Sequence, residues 1–226
     1  MNDTVSIIMP VYKSDYYWEY FKGAVVRACK QTYNDFECII ICDGSVPNDI
    51  KTALRFRDFF NQNIKDKTKI FKLSCNVGPE IAKNYGSRLA SGKYLMFNDA
   101  DDYSAFDRAE KLVGSIGEDY ILSSWVAESG IRTRLLKYGK QNFDKWLLGG
   151  KIHVPHCASS LITKAYFDYF GGFESEYADY IFMVKIALFR GLCGLNGINI
   201  YPEVLYTYNR HGCSVSNCIK ECAKMR

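Results

Sequence analysis

The feature that most constrains the fold is the regular alternation of short apolar runs with segments of helical spacing in the first hundred residues. The apolar runs have the length of buried strands and cover residues 5–9, 36–42, 69–73 and 94–97. Helical patterns separate them at residues 16–30, 49–60 and 78–89. Because strands that alternate with helices form crossover units, this order predicts an α/β fold with a mainly parallel sheet flanked by helices.

The second half of the chain is less regular. Its patterns predict strands at residues 120–126, 131–136, 198–201 and 204–208, and helices at residues 142–148 and 178–190. The sequence contains no internal repeat, low-complexity stretch or convincing linker. Since a chain of 226 residues can bury one sizeable core, we expect a single domain over residues 1–226, made of the halves 1–102 and 103–226.

Composition and charge exclude several classes of protein. Hydrophobic residues make up 48% of the chain, which argues against intrinsic disorder, and a net charge of +4 is too small for the basic stripes of dedicated nucleic-acid binders. No apolar run approaches the roughly 20 residues of a membrane span, so stable membrane insertion is not expected. The first twelve residues do not resemble a signal peptide. Nine cysteines without an export signal indicate a reducing compartment, and we expect a cytoplasmic protein.

Ligands of parallel sheets bind beyond the carboxyl ends of the strands, and an acidic cluster occupies one such loop. Asp99, Asp101 and Asp102 follow the apolar run 94–97 directly. Carboxylates this close raise one another's pKa unless a cation lies between them, and Mg²⁺ or Mn²⁺ prefers carboxylates together with phosphate oxygens. The alternative is a solvated acidic turn that caps the next helix.

The motifs around this cluster occur in a recognisable order. Residues 76–86 read NVGPEIAKNYG and residues 90–102 read ASGKYLMFNDADD. Four shorter blocks accompany them: MPVYK at 9–13, IICDGS at 40–45, GGF at 171–173 followed by ADY at 178–180, and YNRHGCSVS at 208–216. In order and spacing, these blocks resemble the signature of family 2 glycosyltransferases of the GT-A fold. The resemblance extends from residue 5 to residue 216.

The resemblance implies roles for residues that bind a nucleotide-sugar donor. Asp43 would accept a hydrogen bond from the nucleotide base, which Pro10 and Tyr12 would line. Asp99 would hold the ribose or a metal-bound water. Lys83 or Arg210 would stabilise the negative charge that builds on the departing diphosphate.

The resemblance also implies a metal and a base. Asp101 would bind the divalent ion, Mn²⁺ or Mg²⁺, and His211 would be a further metal or diphosphate contact. Asp179 matches the catalytic base, which would take a proton from the acceptor hydroxyl. Cys213, Cys218 and Cys222 near His211 admit a zinc site, but they lack the C-x-x-C pair of structural zinc sites.

The implied activity is that of an inverting, metal-dependent glycosyltransferase. The donor would be a UDP-sugar, bound by the half 1–102. The acceptor would be a glycan, recognised by the half 103–226 and chiefly by residues 120–170. The alternatives are a hydroxylated DNA base as acceptor, a sugar nucleotidyltransferase, or a binding module without catalysis.

Departures from the family pattern bear on these roles. Cys42 and Ala178 replace acidic residues of the family blocks, and Lys83 replaces an arginine. Lysine cannot make the bidentate planar contact of an arginine. Glu174 and Glu176 compete with Asp179 as the base, and Asp179 can also serve as a helix cap.

Overall fold

The computed structural model describes residues 3–44, 55, 58–59, 67–130, 134–137, 154–174, 178–195 and 197–212. Its strands are β1 (Val5–Val11), β2 (Phe36–Cys42), β3 (Thr68–Lys72), β4 (Tyr94–Phe97), β5 (Tyr103–Ser104), β6 (Ile121–Gly130), β7 (Arg134–Leu136), β8 (Ser160–Thr163) and β9 (Asn199–Arg210). Its α-helices in these ranges are α1 (Trp18–Cys29), α2 (Pro79–Leu89), α3 (Arg108–Ile116), α4 (Lys164–Tyr169) and α5 (Ala178–Leu192). A 3₁₀ turn, Ser14–Tyr17, precedes α1, and another, Cys157–Ser159, precedes β8.

The described strands form one sheet in the order β3-β2-β1-β4-β8-β6-β9-β5, with β7 paired to β6. The first four strands of this order are parallel neighbours. β8 is antiparallel to both β4 and β6, whereas β6 and β9 run parallel. The predicted α/β fold is confirmed, and the sheet continues from the first half of the chain into the second through the β4–β8 pair.

Helices cover both faces of the inner strands β1 and β4, which are buried at every residue. Ile7 and Met9 of β1 pack in the same cluster as Phe21 of α1. Ile8, which lies between them and points to the opposite face, packs in a second cluster with residues of α2 and α5 such as Ala82 and Phe182. The period of two in β1 therefore serves two separate cores, one on each face.

The close approach of α2 to the sheet depends on a glycine. A Cβ atom on Gly86 would lie 2.5 Å from Cγ2 of Ile8, well inside van der Waals contact. Gly86 therefore allows α2 to lie directly over β1. This packing brings the N-terminal end of α2 to the same edge of the sheet as the carboxyl ends of β1 and β4.

Most predicted elements agree with the structure, and the differences have local causes. Strands 36–42 and 94–97 have the predicted bounds. The predicted strands 198–201 and 204–208 are one continuous strand, β9, whose pairing with β6 shifts around Pro202, a residue that has no N–H to donate. The strand predicted at 120–126 continues to Gly130. The helix predicted at 142–148 and most of the helix predicted at 49–60 lie outside the described residues.

None of the helices that the structure describes is both long enough and apolar enough to cross a bilayer.

Candidate functional site

A cavity of about 670 Å³ lies at the carboxyl edge of β1 and β4, bordered by the first turn of α2, the start of α5 and the end of β9. Six of the predicted site residues line it: Pro10, Tyr12, Lys83, Asp99, Asp101 and Asp179. Asp43, Arg210 and His211 are not among the lining residues, although Gly212 next to His211 is. The lining draws on both halves of the chain.

Lys83, which is buried, and Asp99, which is partly exposed, form an ion pair in the cavity wall. Nζ of Lys83 lies 2.7 Å from Oδ1 of Asp99, and Lys83 is only 5% exposed. Burial alone would lower the pKa of Lys83, but the charges of Asp99 and Asp179 and the hydrogen bond to Asp99 raise it above its ordinary value. Lys83 therefore carries a positive charge at neutral pH, next to two carboxylates and facing the cavity.

The two residues predicted to bind metal contact each other. Nε2 of His211 lies 2.9 Å from Oδ2 of Asp101, although 110 positions separate them in the sequence. The ring of His211 stacks on Tyr20, with 4.5 Å between centroids and an interplanar angle of 18°. A carboxylate oxygen and an imidazole nitrogen are both ligands that Mn²⁺ accepts.

This donor set fits a divalent ion that is shared with a ligand. Among the described ranges, no group of three or more His, Cys, Asp and Glu side chains is placed to hold a metal. Mg²⁺ and related ions commonly bind one or two protein side chains and complete their coordination with phosphate oxygens and water. The pair Asp101–His211 matches that arrangement better than it matches a closed structural site.

Asp102 also belongs to the cavity lining, but its carboxylate is buried and bonded within the protein. It is 0% exposed, and both of its carboxylate oxygens accept hydrogen bonds, Oδ2 from the hydroxyl of Tyr206 and Oδ1 from the backbone N–H of Asn209, each at 2.8 Å. Burial, together with the charges of Asp101 and Asp99, raises the pKa of Asp102 well above its ordinary value. Asp102 therefore differs from Asp99 and Asp101 in that both of its carboxylate oxygens are bonded to β9.

Asp179, the predicted base, is the second residue of α5 and lines the cavity. Its Oδ1 atom accepts a hydrogen bond of 2.7 Å from the N–H of Tyr180, so the same carboxylate also contacts the first turn of the helix. Of its competitors, Glu174 is paired with Lys185 at 2.7 Å, has a side chain that is 63% exposed, and is absent from the cavity lining. Glu176 lies outside the described residues.

Glu80 is a cavity carboxylate that the sequence analysis did not identify. It lies in the first turn of α2, three positions before Lys83, and lines the same cavity. Burial raises the pKa of Glu80, and the charges of Asp179 and Asp99 raise it further while Lys83 opposes them. The spacing of Glu80 from Lys83 could have identified it as a site residue, since residues three positions apart share a helix face.

Asp43 is buried beneath the loop that leads to α2. Its Oδ1 accepts from the N–H of Val77 at 2.8 Å, and its Oδ2 accepts from the N–H of Gly78 and from Nδ2 of Asn76, each at 2.9 Å. These bonds fix the end of β2 against the start of α2. The predicted contact of Asp43 with a nucleotide base stays a prediction.

Arg210, the last residue of β9, forms an ion pair. Its Nη2 lies 2.7 Å from Oε1 of Glu128, a residue that is only 5% exposed. The hydrogen bond from Arg210 to Glu128 raises the pKa of Arg210. Between the two predicted diphosphate contacts, Lys83 lines the cavity and Arg210 does not, so the role of Arg210 also stays a prediction.

Aromatic side chains form much of the remaining wall. The lining includes five tyrosines and a histidine: Tyr12, Tyr16, Tyr17, Tyr206, Tyr208 and His156. Tyr12 is 41% and Tyr16 is 72% exposed, and Nζ of Lys13 lies 5.1 Å from the centroid of the Tyr12 ring. The rings of His156 and Tyr208 stack on each other, with 6.2 Å between centroids. The cavity thus combines carboxylates and a lysine with flat apolar surfaces.

The model of glycosyl transferase family 2 matches residues 6–170, which is more than half of the chain. The chain belongs to this family. Its similarity to an uncharacterized glycosyltransferase of Haemophilus influenzae is 34% identity over 119 residues, covering 52% of the chain and 44% of the relative. The minor teichoic acid biosynthesis protein GgaA of Bacillus subtilis is 34% identical over 99 residues, covering 43% of the chain and 21% of that protein. The chain therefore spans less than half of the length of these relatives.

Solved structures of other proteins have the same fold as this chain. The crystal structure of S. aureus TarS residues 1–349 in complex with UDP-GlcNAc superimposes with a TM-score of 0.68 at 17% identity. The match covers 93% of the chain and 60% of the TarS chain. The predicted GT-A glycosyltransferase fold is confirmed.

Proposed function

We propose that this chain is an inverting, metal-dependent glycosyltransferase that moves a sugar from a UDP-sugar to an acceptor hydroxyl. One observation carries the proposal: Lys83, Asp99, Asp101 and Asp179, which come from three separate motifs, line a single cavity. Its volume of about 670 Å³ lies within the range of roughly 300–1,000 Å³ that is usual for ligand pockets. The relation to TarS, whose structure contains UDP-GlcNAc, supports a UDP-sugar as the donor.

Cleavage of a sugar nucleotide places negative charge on the departing diphosphate. Lys83 is charged and fixed by Asp99, so it offers stabilisation that needs no rearrangement during the reaction. Asp101 and His211 would hold Mn²⁺ or Mg²⁺, which supplies further stabilisation of the diphosphate charge when bound. Tyr12 and Pro10 supply the flat surface on which we place the nucleotide base.

Asp179 acts on the acceptor in this proposal. Its carboxylate lines the cavity and takes the proton of the acceptor hydroxyl as the new bond forms. Attack from the face opposite the leaving group inverts the anomeric centre and requires no covalent intermediate. Glu80 lines the same cavity wall, and the charge of Asp179 contributes to raising its pKa.

We propose a glycan as the acceptor, which agrees with the similarity to GgaA, a minor teichoic acid biosynthesis protein. A hydroxylated DNA base is the alternative, and strong salt dependence of acceptor binding would favour it. We place the reaction in the cytoplasm. Free thiols at the described cysteines, which are Cys29, Cys38, Cys42, Cys75, Cys157 and Cys193, support that placement.

The rival functions make different predictions. A sugar nucleotidyltransferase would carry a glycine-rich phosphate loop after the first strand, and residues 10–13 contain no glycine. A binding module would bind a nucleotide sugar and never release the free nucleotide.

The test is release of UDP from UDP-GlcNAc in the presence of Mn²⁺, with and without candidate acceptors, for the wild type, Asp179→Asn and Asp168→Asn. Asp168 is a matched control because it pairs with Lys164 on the surface with 53% of its side chain exposed. We expect turnover in the wild type and in Asp168→Asn and a loss of at least about a hundredfold in Asp179→Asn. Equal turnover in the two variants would refute the role of Asp179, and binding without any turnover would favour the module.

A further inference from the structure

We propose that Tyr206 and Asn209 are positioning residues that set the metal affinity of the Asp101–His211 pair by fastening the acidic loop to the end of β9. This inference rests on the proposed function, because it assumes that the pair binds a divalent ion. Neither residue has a role in the motif assignments above. We call the set of hydrogen bonds that Tyr206 and Asn209 make to Asp99, Asp101 and Asp102 the loop clasp.

The hydroxyl of Tyr206 is the first half of the loop clasp. It donates to Oδ2 of Asp102 at 2.8 Å and accepts from the N–H of Asp99 at 3.2 Å. One oxygen atom therefore contacts both ends of the short segment that contains Asp101. Tyr206 is only 2% exposed and Asp102 is 0% exposed, so water does not readily replace these bonds.

Asn209 is the second half of the loop clasp. Its Nδ2 donates to the carbonyl oxygen of Asp101 at 2.7 Å, and its backbone N–H donates to Oδ1 of Asp102 at 2.8 Å. Its Oδ1 accepts from the hydroxyl of Ser129 at 2.6 Å, and Ser129 is its partner in the β6–β9 register. The side chain of Asn209 therefore links Ser129 of β6 to the backbone of Asp101.

The loop clasp explains how two distant ligands meet. His211 follows Asn209 by two residues, so the strand that holds the loop also delivers the imidazole. The atoms that would share the ion, Oδ2 of Asp101 and Nε2 of His211, are 2.9 Å apart. A small displacement of the loop relative to β9 would change this distance directly.

Buried Arg108 contacts residues on both sides of the acidic loop. It is 0% exposed and donates to the hydroxyl of Ser104 and to the carbonyl of Phe97 at 2.9 and 3.3 Å. Its guanidinium lies 5.1 Å from the ring centroid of Tyr206. Because the ring contact does not involve the tyrosine hydroxyl, Tyr206→Phe is expected to keep this packing and remove only the loop-clasp bonds.

The experiment measures Mn²⁺ affinity in the presence of saturating UDP by electron paramagnetic resonance, which counts free manganese and needs no turnover. The variants are Tyr206→Phe, Asn209→Ala and the control Tyr201→Phe, which makes the same substitution on the same strand. The Tyr201 hydroxyl donates to Oε1 of Glu203 at 3.5 Å, and Tyr201 does not line the cavity. Loss of residues that orient metal ligands typically weakens metal binding 10- to 100-fold.

We expect Mn²⁺ to bind at least about tenfold more weakly to Tyr206→Phe and to Asn209→Ala, and equally well to Tyr201→Phe. Amide hydrogen exchange at Asp99, followed by nuclear magnetic resonance, should accelerate in Tyr206→Phe alone, since that N–H loses its acceptor. If Tyr206→Phe does not fold, Asn209→Ala decides the question by the same loss of affinity.

Two negative outcomes are distinguishable. If the wild type binds Mn²⁺ with UDP and both loop-clasp variants bind it within about twofold of the wild type, the positioning role is wrong and the proposed function stands. If the wild type itself binds UDP without any contribution from Mn²⁺, the metal dependence of the proposed function is wrong, and the positioning role is overturned with it.

Discussion

Glu37 is the residue whose replacement yields the most detailed stability prediction. It is 7% exposed at the second position of β2. Its Oε1 accepts from the hydroxyl of Ser6 and the N–H of Ser91, each at 2.7 Å, and its Oε2 accepts from Nζ of Lys69 at 2.8 Å. The carboxylate therefore joins β1, β2, β3 and the loop before β4 at the edge of the sheet opposite the cavity.

The pH dependence follows from the pKa of Glu37. Burial alone would raise this pKa, but the hydrogen bonds from Lys69, Ser91 and Ser6 outweigh it and lower the pKa from 4.5 to about 2. A depressed carboxyl pKa stabilises the folded state above the unfolded-state pKa, and this stabilisation is lost as the pH falls from about 4.5 to about 2. At 1.36 kcal/mol per pKa unit, the contribution at pH 7 is at most about 3 kcal/mol.

The assay is urea unfolding of the wild type and Glu37→Gln between pH 7 and pH 3. Glutamine resembles the protonated carboxyl group, so we expect the variant to be less stable by about 2–3 kcal/mol at pH 7 and the difference to shrink as the pH falls. The control, Glu174→Gln, removes an exposed surface pair and should change the free energy of unfolding by less than about 1 kcal/mol. A difference between wild type and Glu37→Gln that does not depend on pH would refute the reasoning.

The remaining predictions concern the cavity and the packing of α2. Lys83→Met should reduce kcat about 100- to 1,000-fold because it removes the lysine cation from the cavity, whereas Lys83→Arg should retain part of the activity. Steady-state kinetics with UDP-GlcNAc measures both effects. Equal activity of Lys83→Met and wild type would exclude Lys83 from catalysis. Gly86→Ala should destabilise the fold by about 1–3 kcal/mol, because its Cβ would collide with Ile8. The control is Gly114→Ala, since Gly114 is a helical glycine with open space around it, and this change should be neutral or stabilising by up to about 1 kcal/mol. Unfolding midpoints that move equally in the two variants would contradict this packing.

The sequence predicted best those elements whose burial is uniform. The strands Phe36–Cys42 and Tyr94–Phe97 are covered on both faces, so their apolar runs begin and end with the strand. The break expected between residues 201 and 204 was wrong, since β9 continues past Pro202 with a shifted register. A neighbouring strand can accommodate such an irregularity, and a single sequence does not reveal the neighbour.

The site was predictable to the extent that its residues belong to recognisable motifs. The structure brings Asp101 and His211 together, and their binding of a metal ion stays a prediction. Glu80 was missed because its exposure to the cavity depends on how α2 packs over β1. The structure also places Arg210 against Glu128, a contact between β9 and β6 that depends on their parallel pairing and not on local sequence.

The most direct test of the proposed donor site is calorimetric titration of UDP, with GDP and TDP as comparators, in the presence and absence of Mn²⁺. The wild type and Asp101→Ala are compared, with the surface variant Asp168→Asn as control. Our account predicts Mn²⁺-dependent binding of UDP that Asp101→Ala abolishes and Asp168→Asn leaves unchanged. If the folded wild-type protein binds none of the three nucleotides under either condition, the donor-site assignment is wrong and the loop 99–102 is an acidic turn without a role in nucleotide binding.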